Sequence, residues 1–155
     1  MSDMTVVVGV DGSPGARAAL EFALDEAVHR HARLQVIAAV ELPDYGITSF
    51  GTLIQLPKPD ELVAEVRKTA QQQVDDVLAA RSDLPSDLSI SVDARTGRPG
   101  EVLCDAADSA DLLVVGHRGR GSLTSKVLGS VGLHCVLNAG STVAVVRTGS
   151  SAPAG

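Results

Sequence analysis

A doubly wound α/β domain, with a parallel sheet between two layers of helices, is the fold class this sequence predicts. Three observations carry it. Short β-branched runs, mostly apolar on both faces, alternate with segments of helical period, and strands joined by crossover helices run parallel. The resulting order, β-α-β-α-β-α-β-α-β with right-handed crossovers, leaves a three-layer doubly wound sheet as the simplest outcome. The chain has 155 residues, which fits one domain of ~100–200 residues. Its composition is 45% hydrophobic but only 2% aromatic, namely Phe22, Tyr45 and Phe50. The core is therefore built from Val, Leu, Ile and Ala, which suits helices packed closely on an aliphatic sheet.

The elements follow in order. Thr5-Val6-Val7-Val8-Gly9-Val10 reads as a buried parallel strand. Asp11-Gly12-Ser13-Pro14 ends it, with Ser13 as a helix cap and Pro14 as the first helical residue. Ala16, Ala19, Leu20, Ala23, Leu24, Ala27 and Val28 then recur at helical spacing. His29 and His31 sit at the end of that helix, where a cation suits the dipole. Leu34–Leu42 is the second strand, closed by Pro43. Asp44 to Pro59, with Gly46, Gly51 and Pro57, reads as a long loop, a length uncommon unless functional or mobile.

A long helix is expected from about Asp60 to Ala80, with Leu62, Val63, Val66, Ala70, Val74, Val77 and Leu78 inward. Leu88–Val92 alternates strictly and predicts a third strand, half-exposed near a sheet edge. Gly97-Arg98-Pro99-Gly100 turns into a short helix from Glu101 to Asp108. Asp111–Gly116 is the fourth strand, and a Gly-rich stretch runs on to Gly132. A last helix covers Val131–Asn138, and Thr142–Arg147 is the fifth strand. With no internal repeat or low-complexity linker, residues 1–148 form a single domain, and 149–155 a flexible C-terminal tail.

Nineteen acidic against thirteen basic residues give a net charge of −6. That excludes a general nucleic-acid or anionic-membrane footprint, and the scarcity of aromatics argues against base-stacking single-strand binders. No stretch approaches the ~20 apolar residues of a membrane span, and Met1-Ser2-Asp3-Met4 lacks the features of a leader, so the expected location is cytoplasmic. Cys104 and Cys135 make neither a disulfide framework nor a zinc site, and read as buried aliphatic-like thiols.

In an open parallel sheet, ligands bind beyond the carboxyl ends of the strands, where strand order reverses. Two loops there are distinctive: Asp11-Gly12-Ser13 and the segment from Gly116 to Ser130. Glycines let backbone amides approach an anion, and Gly129-Ser130 opens a helix, whose free N–H groups and dipole favour phosphate. Arg118, Arg120 and Lys126 put three of the thirteen bases in this segment, with no acid among them. The segment is not the usual P-loop, because Ser122 and Leu123 stand where Lys and Ser/Thr are needed. Nor is it a dinucleotide fingerprint, since Thr124 replaces the third glycine. A phosphate cradle and a mobile connection with glycines at its turns both remain open. Asp11 likewise is either a ligand or the start of an Asx-turn, and His117 and Arg118 either touch phosphate or face solvent. No nucleophile–base–acid set and no metal-ligand spacing emerge.

Gly116, two residues, Gly119, nine residues, Gly129 and Ser130 match the nucleotide-binding pattern of the universal stress protein family, which this chain resembles from about residue 4 to 147. The resemblance extends to Val8-Gly9-Val10-Asp11-Gly12-Ser13, to Gly97-Arg98-Pro99 and to Val143-Ala144-Val145-Val146-Arg147. It implies a sheet in the order 3-2-1-4-5, of the adenine-nucleotide-hydrolase-like kind, and binding of ATP. Asp11, next to Gly12, would contact adenine or ribose, and Val40 would line the adenine pocket and offer backbone groups. Gly116 and Gly119 would approach ribose and the α-phosphate, flanking His117 and Arg118. Gly129 and Ser130 would hold the β- and γ-phosphates, with Val131 adding an N–H, and Mg²⁺ would be carried by the phosphates and water.

Gly132 replaces a second hydroxyl residue, which would favour ADP or AMP or lower the affinity, and Ser141-Thr142 replaces a common Cys-Pro. The resemblance also implies a stress-response regulator that dimerises through Thr142–Arg147. The alternatives are a slow ATPase or nucleotide-dependent enzyme of the same fold group, and a partner-binding module with an empty site. Asp11-Gly12-Ser13-Pro14 lacks the Ser-Gly-Gly-x-Asp-Ser loop of the pyrophosphatases in that group.

Overall fold

Strands and helices alternate through the computed structural model of the chain, which describes residues 3–43, 57–118 and 128–148. They are β1 (Thr5–Gly9), α1 (Pro14–His29), β2 (Arg33–Val40), α2 (Pro59–Ala79), β3 (Ile90–Thr96), α3 (Pro99–Ala107), β4 (Leu112–Gly116), α4 (Ser130–Asn138) and β5 (Thr142–Val146). The sheet runs β3-β2-β1-β4-β5 with every pairing parallel. Both the fold class and the strand order therefore stand as expected.

Central β1 explains the layering. Val8 pairs with Val36 of β2 on one side and Val114 of β4 on the other. Val6 and Val8 pack towards α1 and α2, while Val7 faces the opposite layer with Leu103, Ala106 and Cys135. All three valines are fully buried, and each contributes about 1.5–3 kcal/mol of hydrophobic stabilisation. An alternating strand would leave one face polar; this one is apolar on both because helices cover both.

β3 differs from its expected span of Leu88–Val92. It begins at Ile90 and continues to Thr96, because β2 offers partners from Leu34↔Ile90 through Val40↔Thr96. Its second half is polar since it forms a sheet edge: Arg95 pairs there with Asp93 at 3.0 Å, and Arg67 of α2 donates to the Val92 carbonyl at 3.3 Å. In α2, only Ala70, Val74 and Val77 of the expected inward set are buried. Leu62, Val63 and Val66 are half-buried, because this end of the helix overhangs the carboxyl ends of the strands. Most of the expected loop after Pro43 (residues 44–56), most of the Gly-rich stretch (119–127) and the expected tail (149–155) lie outside the described residues.

Candidate nucleotide-binding crevice

Where β1 and β4 lie side by side, their chains leave for opposite layers of the fold, and a crevice of about 710 Å³ opens above the strand ends. That volume lies within the ~300–1,000 Å³ of small-molecule sites. β1 contributes Gly9 and Val10, β2 contributes Ile37 to Ala39, and β4 contributes Val115 and Gly116. The starts of α1 and α4 and the first half of α2 form the walls.

The β1 exit is a turn held by its own side chains. Asp11 Oδ1 accepts the Ser13 N–H at 3.0 Å, so the Asx-turn expected as one alternative is present. Gly12 has φ +85°, which favours glycine. Ser13 caps α1: its Oγ accepts the Ala16 N–H at 3.1 Å and its carbonyl accepts the Arg17 N–H at 3.1 Å. Pro14 has no N–H to leave over. Asp11, Gly12 and Ser13 all line the crevice, so the turn and a ligand role are compatible.

α4 begins differently. Gly129 occupies its N-cap with φ −62° and ψ 157°, values any residue adopts. The glycine is thus not needed for backbone conformation; its effect is to leave the helix start without a side-chain cap. The first helical bond runs from the Leu133 N–H to the Gly129 carbonyl at 3.0 Å. The N–H groups of Ser130, Val131 and Gly132 have no acceptor among the described residues, and all three residues line the crevice. No acidic residue lies in that first turn. The Gly129 N–H itself is used structurally, donating to the His117 carbonyl at 2.9 Å, while the His117 N–H donates to Val146 at 2.8 Å.

The remaining expected residues fall as follows. Gly116 lines the crevice, and also lets α1 approach: a Cβ there would lie 2.8 Å from the Gly15 carbonyl oxygen. Arg118 is half-buried and lines the crevice beside the α4 start. His117 is half-buried and outside the lining; its backbone is what joins β5 and α4. Val40 is buried, and its carbonyl accepts the Gly97 N–H at 3.0 Å; its neighbours Ala39 and Glu41 are the lining residues. Gly119, Arg120 and Lys126 lie outside the described residues. At Gly132 a Cβ would meet the tip of the Leu128 side chain, Cδ1 at 2.9 Å.

Sequence reasoning missed the α2 wall. Leu62, Glu65, Val66, Thr69 and Gln73 border the crevice on one face of that helix. The polar interruptions at 65, 69 and 73, beside apolar 62 and 66, were the available signal. The described lining thus carries three acids, Asp11 after β1, Glu41 after β2 and Glu65 on α2, and one base, Arg118, whose backbone lies against Gly15 of α1. Among the described residues no group of three His, Cys, Asp or Glu is placed to hold a metal.

A model of the universal stress protein family matches residues 4–147. A universal stress protein of Mycobacterium tuberculosis is 34% identical over 141 residues, covering 91% of this chain and 44% of the relative. One of Mycolicibacterium smegmatis is 30% identical over 146 residues, covering 94% and 46%. This chain thus spans less than half the length of either relative. Among solved structures, a universal stress protein in complex with cAMP superposes with a TM-score of 0.65 at 27% identity, covering 96% of this chain and all of that one. The universal stress protein of Archaeoglobus fulgidus in complex with dAMP gives 0.56 at 20% identity, covering 94% and 99%, a likeness of fold alone.

Proposed function

The chain belongs to the universal stress protein family, and from that premise we propose that it binds an adenine nucleotide, ATP in the first instance, as a stress-response regulator. One observation carries the reading: the α4 start opens three N–H groups, on Ser130, Val131 and Gly132, into a crevice at the reversal of strand order. Phosphates sit there, beside Arg118. The nucleoside lies over Gly9 and Val10 towards Asp11 and the β2 exit at Ala39 to Glu41. The cAMP bound by a relative of 27% identity supports an adenine nucleotide as the ligand class. Mg²⁺ comes in with the phosphates and is held by them and by water.

The regulator is cytoplasmic and works as a homodimer through the C-terminal strand. β5 supports that reading, because it is a sheet edge of uncharged residues, Val143 to Val146, each half-buried. Among the described residues no helix is long and apolar enough to cross a membrane.

The test is direct. The purified protein is denatured, its supernatant chromatographed for nucleotide, and the emptied protein titrated calorimetrically with ATP, ADP and AMP, with and without Mg²⁺. Co-purified adenine nucleotide and saturable binding are expected, strongest for ATP. Preference for ADP or AMP would move the phosphate contacts inward, and absence of binding to all three would overturn the reading.

A further inference from the structure

The two cysteines meet. Cys104 lies on α3 and Cys135 on α4, and both belong to the core layer on that side of the sheet. The helices come close because of Gly100, one turn before Cys104: a Cβ there would lie 2.7 Å from His134 Cγ and 3.0 Å from His134 Cβ. Beside that crossing, Cys104, one turn on from Gly100, and Cys135, next to His134, pack into the same core cluster, close enough for each thiol to perturb the other. Cys135 is fully buried, whereas Cys104 is half-buried and reachable from solvent. We propose that Cys104 and Cys135 are a redox modification site, at which a peroxide-class oxidant forms an intramolecular disulfide tying α3 to α4.

The chemistry balances with that oxidant. Ionised Cys104 attacks one peroxide oxygen, the O–O bond breaks, and hydroxide leaves, taking up the proton that Cys104 gave up to become water. The product is a sulfenic acid. Cys135 Sγ then attacks Cys104 Sγ, the S–O bond breaks, and a second water leaves with the Cys135 proton. Two thiols and one peroxide give one disulfide and two waters; each sulfur is oxidised and each peroxide oxygen reduced. The environment assigns the roles. Burial raises both thiols, Cys135 to about 12, and Cys104 is the one of the pair that reaches solvent and the oxidant. Cys104 therefore attacks and Cys135 resolves. A disulfide requires a short Cα separation, and the close approach of α3 and α4 at Gly100 and His134 brings the two helices together for it.

The experiment treats the full chain with stoichiometric hydrogen peroxide, denatures it, blocks free thiols with a maleimide and reads the intact mass. The expected result is loss of two hydrogens, loss of both maleimide adducts, a monomer on a non-reducing gel and full reversal by dithiothreitol. Cys104→Ala should keep its remaining thiol under the same treatment, and Cys135→Ala should stop at a trappable sulfenic acid. Should Cys135→Ala fail to fold, the wild-type and Cys104→Ala arms decide the matter. The proposal is overturned if both thiols remain alkylatable after oxidation. It is also overturned if Cys104 advances to sulfinic acid while Cys135 stays free, or if crosslinks form only between molecules.

Discussion

Two helices begin at the same crevice, and they begin in opposite ways. α1 starts under Ser13, whose hydroxyl and carbonyl take up the Ala16 and Arg17 amides, and its first residue is a proline. α4 starts under Gly129, which has no side chain to give, and the N–H groups of Ser130, Val131 and Gly132 meet no acceptor among the described residues. The dipole of each helix points the same way relative to the strands, so orientation does not distinguish them. The residue at the cap does. A helix start becomes an anion site when it is left uncapped in a place where a ligand can reach it. α1 uses its start for stability, while that of α4 has no side-chain cap.

The largest expected effect comes from making α4 like α1. Gly129→Asp supplies a side-chain cap and a negative charge at a backbone conformation that any residue tolerates. Adenine-nucleotide affinity by calorimetry should fall more than ~100-fold, while far-ultraviolet circular dichroism is unchanged. Undiminished binding would place the phosphates elsewhere.

Gly15→Ala probes the other helix through its packing. A Cβ at Gly15 would run into the Arg118 carbonyl. The backbone of the β4 exit must shift, and urea unfolding should show a loss of roughly 1–3 kcal/mol. A neutral result would mean that α1 does not need its close seat against Arg118.

The smallest effect is expected from Ser13→Ala, which makes α1 like α4. It should cost about 1 kcal/mol in urea unfolding and change nucleotide affinity less than ~3-fold. If affinity instead rose sharply, α1 would be a second anion site held shut by its cap, and the contrast between the helices would be one of occupancy rather than design.

Much of this contrast was legible in the residues. Ser13-Pro14 announces a capped start and Gly129-Ser130 an open one. The apolar-on-both-faces runs at Val6–Val8 and Leu112–Val115 placed the centre of the sheet, which in turn placed the crevice. What stayed hidden was what depends on a partner distant in sequence. Gly15 inside a helix is a poor local choice, and only the Arg118 carbonyl explains it. Gly116 looked like a ligand residue alone, but it also holds the space for Gly15. The helical period of α2 is the same whether a residue faces the core or the crevice, so Leu62 and Val66 were read as interior. The meeting of Cys104 and Cys135 required knowing that α3 and α4 are neighbours.

The bond between the Gly129 N–H and the His117 carbonyl has a consequence of its own. It fastens together the two flanks of the segment 118–128, and His117 is in turn fastened to Val146 of β5. The junction of β4, β5 and α4 thus rests on main-chain groups of His117, and a change of its side chain leaves both bonds available.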